Sequence, residues 1–303
     1  MSHPNSASQS LDAAYNSLVG LAVGDAFGDQ FFRLLAQYES PAENRILPPR
    51  PWSWTDDTNM ALSIYSVLRQ DGHIEPNRLA QDFLERYNPS RDYGPALNRL
   101  LRETACGADL VQAAKTQFGG QGSYGNGAAM RVAPLGAFFS ADLSAVVEQA
   151  RASALTTHTH PEAVAGAIAV AVAAAYATQL CGSPPPIPRE FLTLVLPLIP
   201  PSEVASKVAR ACEFEPGMSV YRVAAKLGSG SKISAQDTVP YTLWCASQQL
   251  GNYEEALWLT VKGLGDVDTT CAIVGGIVAC YTGQAEIPME WKNACEPLPS
   301  WID

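Results

Sequence analysis

Apolar residues recur at three- and four-residue spacing along almost the whole chain, and alternating strand-like runs are nearly absent. That pattern restricts the fold to helix packed on helix. The period first shows over 11–27, after Ser10 as a candidate N-cap, and again over 60–68, where Gly72 stops it. Further helices are expected over 76–87, 108–118, 143–155, 161–180, 201–212, 219–227, 235–250, 253–263 and 268–281. Residues 191–198 read as either class, being short, β-rich and interrupted by Pro197. Ordered loops are expected over 40–54 and over the glycine-rich stretch 119–127. No internal repeat or flexible linker is visible. The expectation is therefore one helical domain over 11–303 behind a disordered tail, 1–10.

The chain has 303 residues, 47% of them hydrophobic, enough to bury a large core. Its formal net charge of -10 repels phosphate backbones at long range, which argues against nucleic acid as a partner. Local backbone amides can still hold a small anion. Seven cysteines, scattered and without a C-x-x-C pair, exclude a disulfide framework or zinc knuckle. They are expected to be small buried hydrophobes in a reducing, cytoplasmic compartment. The first ten residues carry no apolar signal-peptide core. The apolar run 163–180 is dominated by Ala and Val, so it is read as a central packed helix and no membrane partner is expected.

Chemistry concentrates in two acidic clusters that open helices. One is Trp54-Thr55-Asp56-Asp57-Thr58, and the other, far along the chain, is Gly265-Asp266-Val267-Asp268-Thr269-Thr270. Asp and Thr are favoured at helix starts simply as caps. A cap, however, needs one side-chain oxygen, and each cluster offers more. Neither cluster contains Lys or Arg, so the carboxylates repel unless a cation is supplied. Oxygen-only donors select Mg²⁺, Mn²⁺ or Ca²⁺ over zinc. If the two starts converge they can hold two ions, bind a diol and activate water.

Three further stretches stand out. Gly122-Ser123-Tyr124-Gly125-Asn126-Gly127 runs into a helix and can bring backbone amides to a phosphate, although it is no Walker loop and by itself reads equally as a turn. Thr157-His158-Thr159-His160-Pro161 precedes the Ala-rich helix. Its histidines are either a surface cap or, for His158, a hydrogen-bonding partner of a ligand phosphate or ribose. Gly20 to Asp29 (GLAVGDAFGD) places glycines inside an apolar helix at about 1 kcal/mol each, which points to close helix packing or a bend. Trp52 and Trp54 are read as core residues in preference to an adenine platform.

In this order, GLAVGDAFG (20–28), WTDDTNMAL (54–62), GSYGNGAAMRVAPLG (122–136), THTHPEAVAGA (157–167) and GDVDTTCAIVGG (265–276) resemble the ADP-ribosylglycohydrolase family. The resemblance implies a compact orthogonal all-α bundle of about a dozen helices around a binuclear Mg²⁺ or Mn²⁺ centre. By position, Thr55, Asp56 and Asp57 would be ligands from one side, and Asp266, Asp268 and Thr269 from the other. Ser123, Tyr124, Gly125, Asn126 and Gly127 would hold the diphosphate and distal ribose, with His158 near the phosphates. Two departures from the family pattern are Leu264 and Val267 in the last motif. A third is Phe32, at a position where many members carry a Glu on a mobile loop; Asp29 and Glu39 are the nearby carboxylates.

The implied activity is cleavage of the glycosidic bond between ADP-ribose and a protein or small acceptor. Asp56 or Asp57 would position or deprotonate the attacking water, and nearby negative charge would stabilise an oxocarbenium-like state. GNGAAMR and THTHPEA favour arginine N-glycosides. O-linked ADP-ribose, on serine or a small acceptor, is the alternative, followed by a non-catalytic ADP-ribose-binding or structural member of the fold.

Overall fold

The computed structural model describes residues 4–105 and 107–302. Its first half contains α1 (Pro4–Gln37), α2 (Asp56–Asp71), α3 (Pro76–Arg86), α4 (Pro95–Thr104), α5 (Leu110–Gly120), α6 (Gly127–Met130), α7 (Ala133–Phe138) and α8 (Leu143–Leu155). The second half contains α9 (Pro161–Leu180), α10 (Pro188–Val195), α11 (Glu203–Ala211), α12 (Val220–Leu227), α13 (Ala235–Gln248), α14 (Tyr253–Val261), α15 (Val267–Thr282) and α16 (Met289–Ala294). No strand occurs among the described residues; two isolated bridges, Trp52 to Cys295 and Gly125 to Ser234, are the sole sheet-like pairings. The expected all-α bundle is what forms.

The ambiguous run 191–198 is helical. Pro188 occupies the first turn of α10, where its missing N–H costs nothing, and a 3₁₀ turn over Leu196–Leu198 follows. Helices α4, α7 and α16 were not expected, whereas α6 is the helix into which the glycine-rich loop was read to run. The buried α6 and α7 are apolar on every side and carry no amphipathic period to read. Helix α1 begins at Pro4 instead of after Ser10, so it takes in much of the expected tail, with proline again in the first turn. Residues 1–3 lie outside the described residues.

Helix α9 is long and apolar enough to cross a membrane by length and composition. Here it packs against α6, α7, α8, α13 and α15 and is buried over most of its length. Its small side chains let these helices approach together. No disulfide joins the described cysteines; Cys245, Cys271 and Cys280 are buried as expected, whereas Cys181 is exposed.

The longest helix contact in the molecule is α1 against α15. Gly20, Gly24 and Gly28 of α1 face the α15 backbone so closely that any Cβ would fall inside contact distance of the Gly275, Cys271 and Val267 carbonyls. The glycines therefore serve close packing, and α1 stays helical through them. We expect Gly24→Ala to lower unfolding stability by at least about 2 kcal/mol, because a backbone carbonyl cannot yield as a side chain can. Gly251→Ala, whose Cβ would meet only ordinary contacts, is the control in a urea titration and should change stability by under about 0.5 kcal/mol.

Both tryptophans of the 40–54 loop are core residues. Trp52 sits beside Phe27 and Trp291 and donates from its indole nitrogen to the Pro48 carbonyl at 3.1 Å. Trp54 is covered by the Arg91 guanidinium, 3.3 Å above its ring.

Candidate metal and ligand site

The two acidic helix starts meet. The Thr269 hydroxyl lies 3.5 Å from Asp57 Oδ2, and the Thr55 oxygen lies 2.9 Å from the same atom. Thr55 is the N-cap of α2, receiving the Asp57 N–H on its hydroxyl, so capping occupies a threonine and leaves Asp56 and Asp57 free of that duty. Asp266 is the N-cap residue of α15, but its side chain makes no capping bond. Capping therefore does not account for either carboxylate pair.

What holds the start of α2, and with it the Asp56–Asp57 pair, in place is a residue the sequence reading placed in a packing motif only. Asp25, fully buried on α1, accepts four hydrogen bonds from the α2 start. The Thr55 and Thr58 backbone N–H groups donate at 2.9 and 3.1 Å, and their hydroxyls at 2.8 and 2.6 Å. The available signal was a lone aspartate inside an apolar, glycine-spaced helix. A charge there is tolerated only if satisfied. Asp25→Asn keeps the shape but replaces an acceptor oxygen with a donor. We expect it to reduce turnover roughly 10–100-fold, chiefly by raising the divalent-ion requirement, measured as activity against Mg²⁺ concentration.

Electrostatically the cluster is unbalanced. Among the described residues no ion pair reaches Asp25, Asp56, Asp57, Asp266 or Asp268. Burial, then the Asp25 and Asp268 charges, hold the Asp57 carboxyl well above the ordinary carboxylate range. Burial followed by Asp25 and Asp266 does the same to Asp56, and burial followed by Asp266 and Asp25 to Asp268. Burial pushes Asp25 up to about 6 despite its hydrogen bonds. Asp57 Oδ1 and Asp268 Oδ1 are buried without any partner. As the side chains stand, no three His, Cys, Asp or Glu groups among the described residues close around a single point. The donor set nonetheless fits hard divalent cations: it is all oxygen, two carboxylate oxygens are orphaned, and its mutual repulsion is what such charge relieves.

Asp56, Asp266, Asp268 and Thr269 line one end of a cleft of about 400 Å³. The Ser123–Gly127 loop and His158 line the same cleft, as do the exposed side chains of Phe118 and Tyr124. The loop is built inward. The Gly125 N–H donates to the Ser123 hydroxyl at 3.1 Å, and the Ala235 N–H ties the Tyr124 carbonyl to α13 at 2.9 Å. Asn126 is not free to face a ligand with its amide nitrogen, which donates to Asp266 Oδ2 at 2.7 Å and to Thr238 at 3.1 Å. It thereby links the glycine loop to the second acidic pair. The two histidines divide the readings between them: His160 caps α9 by accepting from the Glu162 N–H, and His158 is buried against the glycine loop.

Phe32 lies on α1, which is helical as far as Gln37, so the loop expected at this position is helix; the ring is 46% exposed. Neither Asp29 nor Glu39 lines the cleft, whereas Asp92 does. Asp92 sits in the left-handed region at φ 57, just outside α4. The sequence reading missed it because α4 itself was not seen.

The chain belongs to the ADP-ribosylglycohydrolase family, a family of glycosylhydrolases: that family's model matches residues 6–303. Among its relatives, ADP-ribosylhydrolase ARH3 from Xenopus tropicalis is 28% identical, covering 92% of this chain and 90% of the relative. The Homo sapiens ADP-ribosylhydrolase ARH3 is also 28% identical, over 80% of this chain and 74% of the relative. An uncharacterised protein of Archaeoglobus fulgidus is 33% identical over 86% and 85% of the two chains. A solved structure titled "ADP-ribosylglycohydrolase-related protein complex" superposes with a TM-score of 0.62 at 26% identity, covering 95% of this chain and 94% of its own.

Proposed function

We propose that this protein hydrolyses the glycosidic bond joining ADP-ribose to an acceptor. The observation that carries the reading is the convergence of the two acidic starts: Thr269, which lines the cleft together with Asp56, Asp266, Asp268 and the glycine loop, reaches Asp57 buried behind it. Thr55, Asp56, Asp57, Asp266, Asp268 and Thr269 are the residues that would hold divalent cations, Mg²⁺ or Mn²⁺. Such ions supply positive charge for a vicinal diol. The chain's own groups do the rest. The backbone amides of 123–127 other than that of Gly125, and the His158 ring, receive the diphosphate. Asp56, at the edge of the cleft, takes the proton of the attacking water, and the surrounding carboxylates favour positive charge at the anomeric carbon.

The arginine preference expected from GNGAAMR and THTHPEA gains no support from the relatives, whose names specify no acceptor. The test presents arginine-linked, serine-linked and small-molecule O-linked ADP-ribose with Mg²⁺ or Mn²⁺ and measures free ADP-ribose. Turnover on one class assigns the acceptor. Absence of turnover on all three overturns the proposal, and thermal stabilisation by ADP-ribose without turnover would make the protein a binding module.

A further inference from the structure

Below the cleft, Arg131 is fully buried. Its Nη1 donates to the Thr157 hydroxyl at 3.0 Å and its Nη2 to the Ser153 carbonyl at 2.7 Å, with Phe83 against the guanidinium face at 4.7 Å. The Thr157 oxygen lies 2.7 Å from His158 Nδ1. A guanidinium can only donate. The Thr157 oxygen therefore accepts from Arg131, and because no other acceptor stands within hydrogen-bond reach of its hydroxyl among the described residues, its single proton is directed to His158 Nδ1, which accepts it. A neutral imidazole that accepts at Nδ1 carries its proton on Nε2. The ring is wedged between Gly125 and Gly127: a Cβ at Gly125 would stand 3.3 Å from Nε2 and one at Gly127 3.0 Å from it. No protein group among the described residues hydrogen-bonds Nε2, and the residue lines the cleft.

We propose that Thr157 and Arg131 are positioning residues that lock His158 as the Nε2–H tautomer, making it a fixed, uncharged hydrogen-bond donor to an anionic oxygen of the ligand. An ionised diphosphate offers acceptors only, so the opposite tautomer would present a lone pair to it and repel it. A neutral donor also adds no charge to the floor of the cleft, where the carboxylates are to meet cations. The identity of the ligand rests on the function proposed above; the tautomer does not.

The experiment is nitrogen-15 NMR of the ligand-free full chain labelled at its 4 histidines, with His158 assigned by the signals lost in His158→Gln. At neutral pH, Nδ1 is expected at the unprotonated, pyridine-like position and Nε2 at the protonated, pyrrole-like one. Thr157→Ser should keep both signals. Thr157→Val should populate the Nδ1–H form and weaken ADP-ribose binding with Mg²⁺ roughly tenfold by calorimetry. A wild-type His158 protonated on Nδ1, or a Thr157→Val protein with unchanged signals and affinity, overturns the proposal. Should Thr157→Val fail to fold, the wild-type and Thr157→Ser spectra still decide it. A wild-type chain with the expected tautomer but no affinity for ADP-ribose would sink the functional reading alone.

Discussion

Asp57→Asn is expected to lower ADP-ribose release by about 10³-fold while leaving the protein folded, and, without divalent ions, more stable than the parent. The loss follows from where the residue stands. Its Oδ2 is the atom at which the α2 and α15 starts meet, and its Oδ1 is buried without a partner. The gain in stability follows from the same geometry. Burial and the Asp25 and Asp268 charges disfavour a charged Asp57, and the amide removes that charge while keeping the volume. At pH 7.5 with EDTA the gain should be on the order of 1 kcal/mol or more by denaturant unfolding. A residue needed only for packing would show the reverse, lower stability with activity falling in step. Unchanged turnover would remove Asp57 from the site.

The second large effect is a pH slope that divalent ions abolish. The carboxyls of Asp25, Asp56, Asp57 and Asp268 all have folded-state pKa values raised by burial. The folded protein therefore keeps protons that the unfolded chain releases near the ordinary carboxylate pKa of about 4. For these groups stability is greatest below that pKa and falls as pH rises toward and through the folded-state values. Asp25 alone, raised from 3.8 to about 6, accounts for on the order of 3 kcal/mol across that interval. In EDTA the unfolding midpoint should thus fall between pH 4.5 and 7.5, unlike the usual acid-labile protein. Saturating Mg²⁺ or Mn²⁺ should raise stability at pH 7.5, by about 2.7 kcal/mol at a hundredfold excess over Kd, and flatten the slope. A protein equally stable with and without divalent ions at pH 7.5 would rule out the carboxylate cluster as a cation site.

Much of the fold was legible in order. Helices α8 and α9 were anticipated residue for residue, because a proline, a Gly or an Asp marks their ends and their apolar spacing is regular. Helix α7 was hidden because burial on all faces erases the period that reveals an amphipathic helix, and α6 showed itself only as the helix that follows the glycine loop. The acidic starts were visible as chemistry, but their capping role could not be separated from a ligand role until Thr55 was seen to cap α2 and the Asp266 side chain to make no capping bond. Asp25 and Asp92 were missed for different reasons. The first makes all its bonds to residues some thirty positions away, and the second flanks a helix that was not recognised.

The sequence alone determined that the chain would be all helical, that its donors are oxygens suited to hard cations, and which motifs it shares with its family. Local spacing and side-chain chemistry decide those properties, and both are written in neighbouring residues. Only the tertiary structure decided that Asp57 and Thr269 share a site, that Asn126 ties the glycine loop to Asp266, and that Arg131 donates to the Thr157 hydroxyl beside His158. Each of those pairings joins residues far apart in sequence, so it depends on how closely the helices that carry and flank them approach. That distance is set by glycines and alanines whose effect appears only when two distant backbones touch.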